Sequence, residues 1–231
     1  MRKSWQNNLW VVDAKAIVKR CLPDSILNHM RACRALERRD RSTYWRLWLL
    51  CALRMRRSEL RRIPAAIRSL LFVCRGNIIR SPMATALLRQ CVSGLAPSAI
   101  SIASAGLHAC RGQGADARAI TVAKDFGISL DEHRAQPLTD ELVRQADMIF
   151  VMDAFNEAEL LGRYPEAENK VFMLGAWAAG RWPDRIEILD PYDGAEADIR
   201  WCYERLQSCI RSLAPVFFPS VGTSRPVGTD K

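Results

Sequence analysis

The stretch Ser69-Leu-Leu-Phe-Val-Cys74-Arg-Gly-Asn-Ile-Ile-Arg80-Ser-Pro-Met-Ala84 changes character twice. Leu70 to Val73 is a short apolar run that reads as a strand of a buried parallel sheet. Arg75-Gly76-Asn77 is turn material, with Gly and Asn both able to take a positive φ. Ser81-Pro82 reads as a helix start, Ser81 as N-cap and Pro82 at the first helical position, continuing through Leu87 and Leu88 to Val92. A strand that passes through a glycine-bearing loop into a helix N-terminus makes an anion cradle. Successive N–H groups point inward and the helix dipole adds partial positive charge.

The residues at the two ends of that loop carry the chemistry. A thiol at Cys74, ringed by the N–H groups of residues 75–81 near a helix N-terminus, is expected to have a depressed pKa and to stand as thiolate, a nucleophile at neutral pH. Arg80 can return over the loop and hold two phosphate oxygens at once, a geometry that lysine cannot offer. Ser81 can donate its hydroxyl hydrogen to the sulfur and so help it leave later. Cysteine and arginine at this separation are common by chance; the preceding strand and the following Ser-Pro make the pattern specific. The plainer reading is a buried strand cysteine followed by surface arginines.

Working outward, apolar runs at 70–73, 99–104, 148–152 and 171–174 alternate with helical patterns at 82–92, 115–126, 139–145 and 154–162. Repeated β-α units of this kind predict an α/β fold, a doubly wound four-stranded parallel sheet with helices on both faces. Ligands bind such sheets at the carboxyl ends of the strands, where Cys74 falls. A last helix from Ala195 to Leu213 closes the domain, and residues 215–231, with Pro219, Gly222, Pro226 and Gly228, read as a disordered tail.

The charge divides the chain at Arg68. Residues 1–69 hold 17 Lys+Arg against 5 Asp+Glu, a net of +12, whereas residues 70–231 hold 17 against 20, a net of −3. Residues 1–68 therefore form a basic extension with its own composition. A helix capped by Asp24 and running to Leu36, then a second from Ser42 to Arg57, make an antiparallel helical pair the expectation here. The second carries an apolar stripe with arginines at its end, suited to packing on the domain, to an acidic partner protein, or to an anionic membrane surface. No nucleic-acid-binding motif accompanies the charge, so none is expected as partner.

Composition bounds the rest. At 49% apolar and 26% charged, the 231 residues belong with globular chains. No apolar run approaches the roughly 18 residues of a membrane span. The positive start at Arg2-Lys3 has no signal-peptide core behind it, and a cytoplasmic setting is expected. Eight cysteines without a Cys-x-x-Cys pair, and three His, argue against a structural zinc. Cys202 and Cys209 fall on one buried face of the last helix.

The segment Val73-Cys-Arg-Gly-Asn-Ile-Ile-Arg-Ser-Pro-Met-Ala84 resembles the signature loop of the low-molecular-weight protein tyrosine phosphatases. The resemblance covers most of residues 69–214. Ser104-Ala-Gly106 is similar to that family's second strand end, Gly114 to Ala119 with Gly127 to Ala135 to its second helix and following turn, Met148 to Asp153 to its third strand, and Leu189-Asp-Pro-Tyr192 to its general-acid loop. It implies a cysteinyl-phosphate at Cys74, phosphate held by Arg80 and the loop of Arg75, Gly76, Asn77, Ile78, Ile79 and Ser81, and a rim at Tyr192 with Leu107 and His108. It further implies a left-handed Asn77 fixed by Ser104 and His133, no metal or other cofactor, and phosphotyrosine protein as substrate, a bacterial tyrosine autokinase among the candidates. Asp190 fits the acid by chemistry too, since a departing aryloxide needs a proton and an Asp-Pro pair presents one rigidly.

Three positions depart from the family pattern. Ile79 stands where a second cysteine is frequent, which leaves Cys74 more open to over-oxidation. Asp193 follows Tyr192 where some members have an aromatic, and Gln136 replaces a frequent arginine. Two other functions stay open. One is a thiol-dependent arsenate reductase on the same fold, although residues 140–165 hold no cysteine. The other is a catalytically idle binding module whose basic extension does the work.

Overall fold

The computed structural model describes residues 36–52, 63–64, 67–93, 100–178 and 186–218. The helix expected to end at Leu36, and hence the antiparallel pair, lies outside them. Helix α1 is Arg38–Ala52, β1 Ser69–Cys74, α2 Arg80–Val92, β2 Ser101–Gly106, α3 Ala117–Lys124, α4 Asp140–Gln145, β3 Met148–Val151, α5 Ala154–Arg163, β4 Val171–Met173 and α6 Glu196–Phe217.

The four strands form one parallel sheet in the order β2-β1-β3-β4. Side chains alternate across a strand, so β1 feeds two cores. Leu70, Phe72 and Cys74 face the core built with α2, α3 and α6, where Met83, Leu87, Val122, Leu206 and Ile210 pack. Leu71 and Val73 face the other, with Val143, Leu160 and Leu161. Burial on both faces is why these strands read as continuous apolar runs. Phe72 stacks on Phe150 at 5.3 Å, and Phe150 meets Phe172 at 6.0 Å, an aromatic row across three strands.

Two local expectations are corrected. The last helix continues through Pro215 to Phe217, and Phe218 is buried, so order extends beyond residue 214 because two aromatic side chains still reach the core. Residues 219–231 lie outside the described ones. Helix α2 starts at Arg80 rather than after Ser81, and no side chain caps it. The Ser81 hydroxyl is taken up by the loop instead.

The extension is not separate from the domain. Helix α1 lies on α5, with Tyr44 and Leu47 buried in the second core and the Tyr44 ring 5.3 Å from Phe155. Arg46 adds an exposed ion pair to Glu168 at 3.0 Å. Among the described residues no helix is long and apolar enough to cross a membrane, and no cluster of side chains is arranged to hold a metal ion.

Candidate active site

Cys74 ends β1 opposite Gly106 of β2, at the carboxyl edge of the sheet. The chain then turns through residues 75–79 into α2, so the thiol sits at the bottom of a cleft of about 620 Å³. Arg75, Gly76, Ile78, Ile79, Arg80, Asp190 and Tyr192 line the same cleft, while Asn77 and Ser81 are fully buried at its floor. Every residue that the sequence placed at a phosphate site is thereby within one small region.

The floor is a hydrogen-bonded network around Asn77, the one described non-glycine residue with positive φ, at 55°. Its backbone N–H donates to Cys74 Sγ at 3.2 Å. Its Oδ1 accepts from the backbone N–H of Gln136 at 3.0 Å, a group that can only donate, which fixes which way the amide points. Nδ2 therefore donates to Ser81 Oγ at 2.8 Å and to Ser104 Oγ at 2.9 Å. Ser81 Oγ also stands 3.0 Å from Cys74 Sγ and 3.4 Å from the Ala105 carbonyl, the two acceptors its hydroxyl hydrogen can reach. His133 Nε2 donates to the Asn77 carbonyl at 2.7 Å. Asn77 is thus held by Ser104 Oγ, by the His133 ring and by the backbone N–H of Gln136. Burial lowers the His133 pKa below its ordinary value, against the pull of the Asn77 carbonyl, and favours the neutral ring.

Gly106 is what lets β2 close on this loop. A Cβ there would lie 2.8 Å from Asn77 N and 2.9 Å from the Arg75 carbonyl oxygen. Leu107 and His108 donate backbone N–H groups to the Cys74 and Arg75 carbonyls at 3.0 and 2.8 Å, which locks the loop's first residues onto β2.

Arg80 is fully buried and joins two carboxylates, Nη1 to Asp153 Oδ2 and Nη2 to Asp190 Oδ2, each at 2.5 Å. Burial pulls the guanidinium pKa down, yet Asp153, Asp190 and the Cys74 sulfur together carry it above the ordinary arginine value. The two acids differ. Asp153 is buried and its Oδ1 also caps α5 by accepting from Asn156 N at 2.8 Å. The Asp190 side chain is 35% exposed at the cleft mouth.

Sequence reasoning missed Asp153, although its place just past β3 was a usable signal, since ligands gather at strand carboxyl ends. It also missed Arg118. This side chain pairs with Asp116 at 2.9 Å and donates to the Gly194 and Tyr192 carbonyls at 2.6 and 3.0 Å, holding the loop that carries Asp190. Leu107 is corrected from a rim residue to a core one, because it points into the second core. The apolar wall comes from Ile78, Ile79, Phe155 and Leu36 instead, with His108 and Tyr192 at the edge.

The fold and this cleft define a class of protein: a doubly wound parallel domain that presents a cysteine thiol, an arginine and a carboxylate around an anion-shaped loop. A family model described as low molecular weight phosphotyrosine protein phosphatase matches residues 69–223. "Probable low molecular weight protein-tyrosine-phosphatase EpsP" from Ralstonia nicotianae is 44% identical over 149 residues, which is 64% of this chain and 95% of that protein. The crystal structure of the Erwinia amylovora tyrosine phosphatase amsI superposes with a TM-score of 0.59 at 33% identity, covering 66% of this chain and 94% of that one. The YwlE arginine phosphatase from Geobacillus stearothermophilus superposes with a TM-score of 0.57 at 31% identity, over 69% and 99% of the two chains. The chain belongs to the low molecular weight phosphotyrosine protein phosphatase family.

Proposed function

We propose that the protein hydrolyses phosphotyrosine in protein substrates through a cysteinyl-phosphate at Cys74. The observation that carries the reading is Cys74 Sγ facing the Asn77 N–H and the Ser81 hydroxyl, with Arg80 and Asp190 in the same cleft. A phosphate monoester entering the loop takes up the guanidinium edge now given to Asp190 and frees that carboxyl for the leaving oxygen. Sγ attacks phosphorus as the P–O bond to the tyrosyl oxygen breaks, and protonated Asp190 gives its proton to that oxygen. The resulting carboxylate then takes a proton from water, the hydroxide attacks phosphorus, and the S–P bond breaks to return the thiolate with inorganic phosphate. Ser81 stabilises that thiolate by its hydroxyl hydrogen. Asp153 keeps Arg80 in place throughout, so the arginine is oriented before substrate arrives.

The arsenate-reductase reading needs further thiols beside the nucleophile. Among the described residues that line the cleft Cys74 is the one cysteine. Burial pushes the Cys202 thiol up to about 12, which leaves it poorly nucleophilic. Intact Cys74, Arg80 and Asp190 also disfavour an idle module.

The test is turnover of phosphotyrosyl, phosphoseryl and phosphoarginyl peptides by the wild type, Cys74→Ser and Asp190→Ala. The reading expects phosphotyrosine to be preferred, Cys74→Ser to be inactive and Asp190→Ala to slow turnover by about a hundredfold or more. Equal rates on all three peptides would remove the substrate assignment. On the family resemblance we extend the substrate to a bacterial tyrosine autokinase and the setting to the cytoplasm. The basic residues ahead of the domain are proposed to meet an acidic protein or the inner-membrane surface. Co-sedimentation of the full chain with vesicles containing anionic lipid tests the latter.

A further inference from the structure

Residues ahead of the family domain reach the cleft itself. Leu36 lines it beside Phe155, Asn156 and Glu159 of α5, and the Leu36 carbonyl is fixed by Arg41 Nε at 3.1 Å. What brings it there is the seating of α1 on α5. Phe155 is shared between the cleft and the Tyr44 ring, and a Cβ on Gly162 would strike the Asp40 carboxylate, so glycine is what lets the two helices approach.

We propose that Leu36 and Phe155 form a specificity shelf for the substrate polypeptide, taking an apolar side chain next to the phosphotyrosine. This rests on the phosphatase reading above. Leu36 and Phe155 line the same cleft as Cys74, Ile78 and Ile79, and give it an apolar side. Its outer edge is polar, formed by His108 paired to Glu159 at 2.6 Å, with Arg163 on the same carboxylate. An apolar floor with a charged border suits one buried side chain on an otherwise hydrated peptide. The extension therefore selects substrate without touching the reacting atoms.

The test compares kcat/KM of the full chain on two phosphotyrosyl peptides that differ only in leucine or glycine beside the phosphotyrosine, with p-nitrophenyl phosphate as a small reference. Wild type is expected to favour the leucine peptide by about tenfold, the value of burying one such side chain. Leu36→Ala removes the shelf, and Gly162→Leu lifts α1 off α5 at a site outside the cleft; both are expected to bring the ratio of the two peptides close to one. Gly162→Leu is expected to keep the wild-type rate on p-nitrophenyl phosphate. Equal rates of the wild type on the two peptides, or a preference that survives both substitutions, would overturn the shelf. Absence of p-nitrophenyl phosphate turnover in the wild type would instead overturn the phosphatase reading on which it stands.

Discussion

Arg80 carries two carboxylates on one guanidinium, and their surroundings give them different tasks. Asp153 is enclosed and bonded to both Arg80 and the first turn of α5. Removing it leaves Arg80 to Asp190 and the Ile188 carbonyl and takes the cap from α5, so Asp153→Ala is expected to cost about 1–3 kcal/mol in urea unfolding. Asp190, partly exposed, is expected to matter little for stability and greatly for turnover. His133 supplies a pH dependence with a definite sign. Its folded pKa lies below 6.5, so below that pH the unfolded chain binds more protons and stability falls as pH falls through the folded value. His133→Gln, which keeps a donor for the Asn77 carbonyl, is expected to flatten that decline in urea midpoints measured across pH. Ile79 next to Arg80 leaves the described part of the cleft without a second thiol. Peroxide inactivation is accordingly expected to outlast treatment with reductant, and rapid full recovery would show that another cysteine traps the sulfenic acid.

The loop between β1 and α2 works because neighbouring elements hold it from three sides. Gly106 presses on it from β2, Gln136 from the turn before α4, and Asp116 N–H donates to the Ile78 carbonyl at 3.0 Å from the start of α3. Gly106→Ala would push Asn77 out of line, and kcat is expected to fall on the order of a hundredfold, the effect of misplacing a reacting group by about an ångström. Much of this level was legible in the sequence. Strands buried on both faces announce themselves as apolar runs, and a cysteine at the end of one, followed by Gly-Asn and Arg-Ser-Pro, has few other uses. The contact of Ser81 with the Cys74 sulfur was legible, but Ser81 was also misread as a cap because capping residues and active-site hydroxyls have the same chemistry, and only geometry shows that its oxygen accepts from Asn77 instead. Arg118 left no local signal, since its partners Tyr192 and Gly194 are distant in the chain and are met through their carbonyls.

Over the whole molecule, the change of charge at Arg68 marks a change of composition and not a break in contact. The family match begins at residue 69, yet α1 is seated on α5 and Leu36 reaches the cleft. The amphipathic stripe on this helix was visible in the sequence; that Tyr44 would find Phe155 was not, because packing between remote segments has no periodicity to read. The account rests above all on a covalent phosphoryl group at one sulfur. The most direct measurement is rapid acid quench of the wild type and Asp190→Ala during turnover of p-nitrophenyl phosphate, followed by mass spectrometry of the peptide containing Cys74. A phosphoryl group on Cys74 of the wild type, formed more slowly in Asp190→Ala and absent from Cys74→Ala, is the predicted result. Turnover with no phosphoryl group on Cys74, or turnover that survives Cys74→Ala, would contradict it.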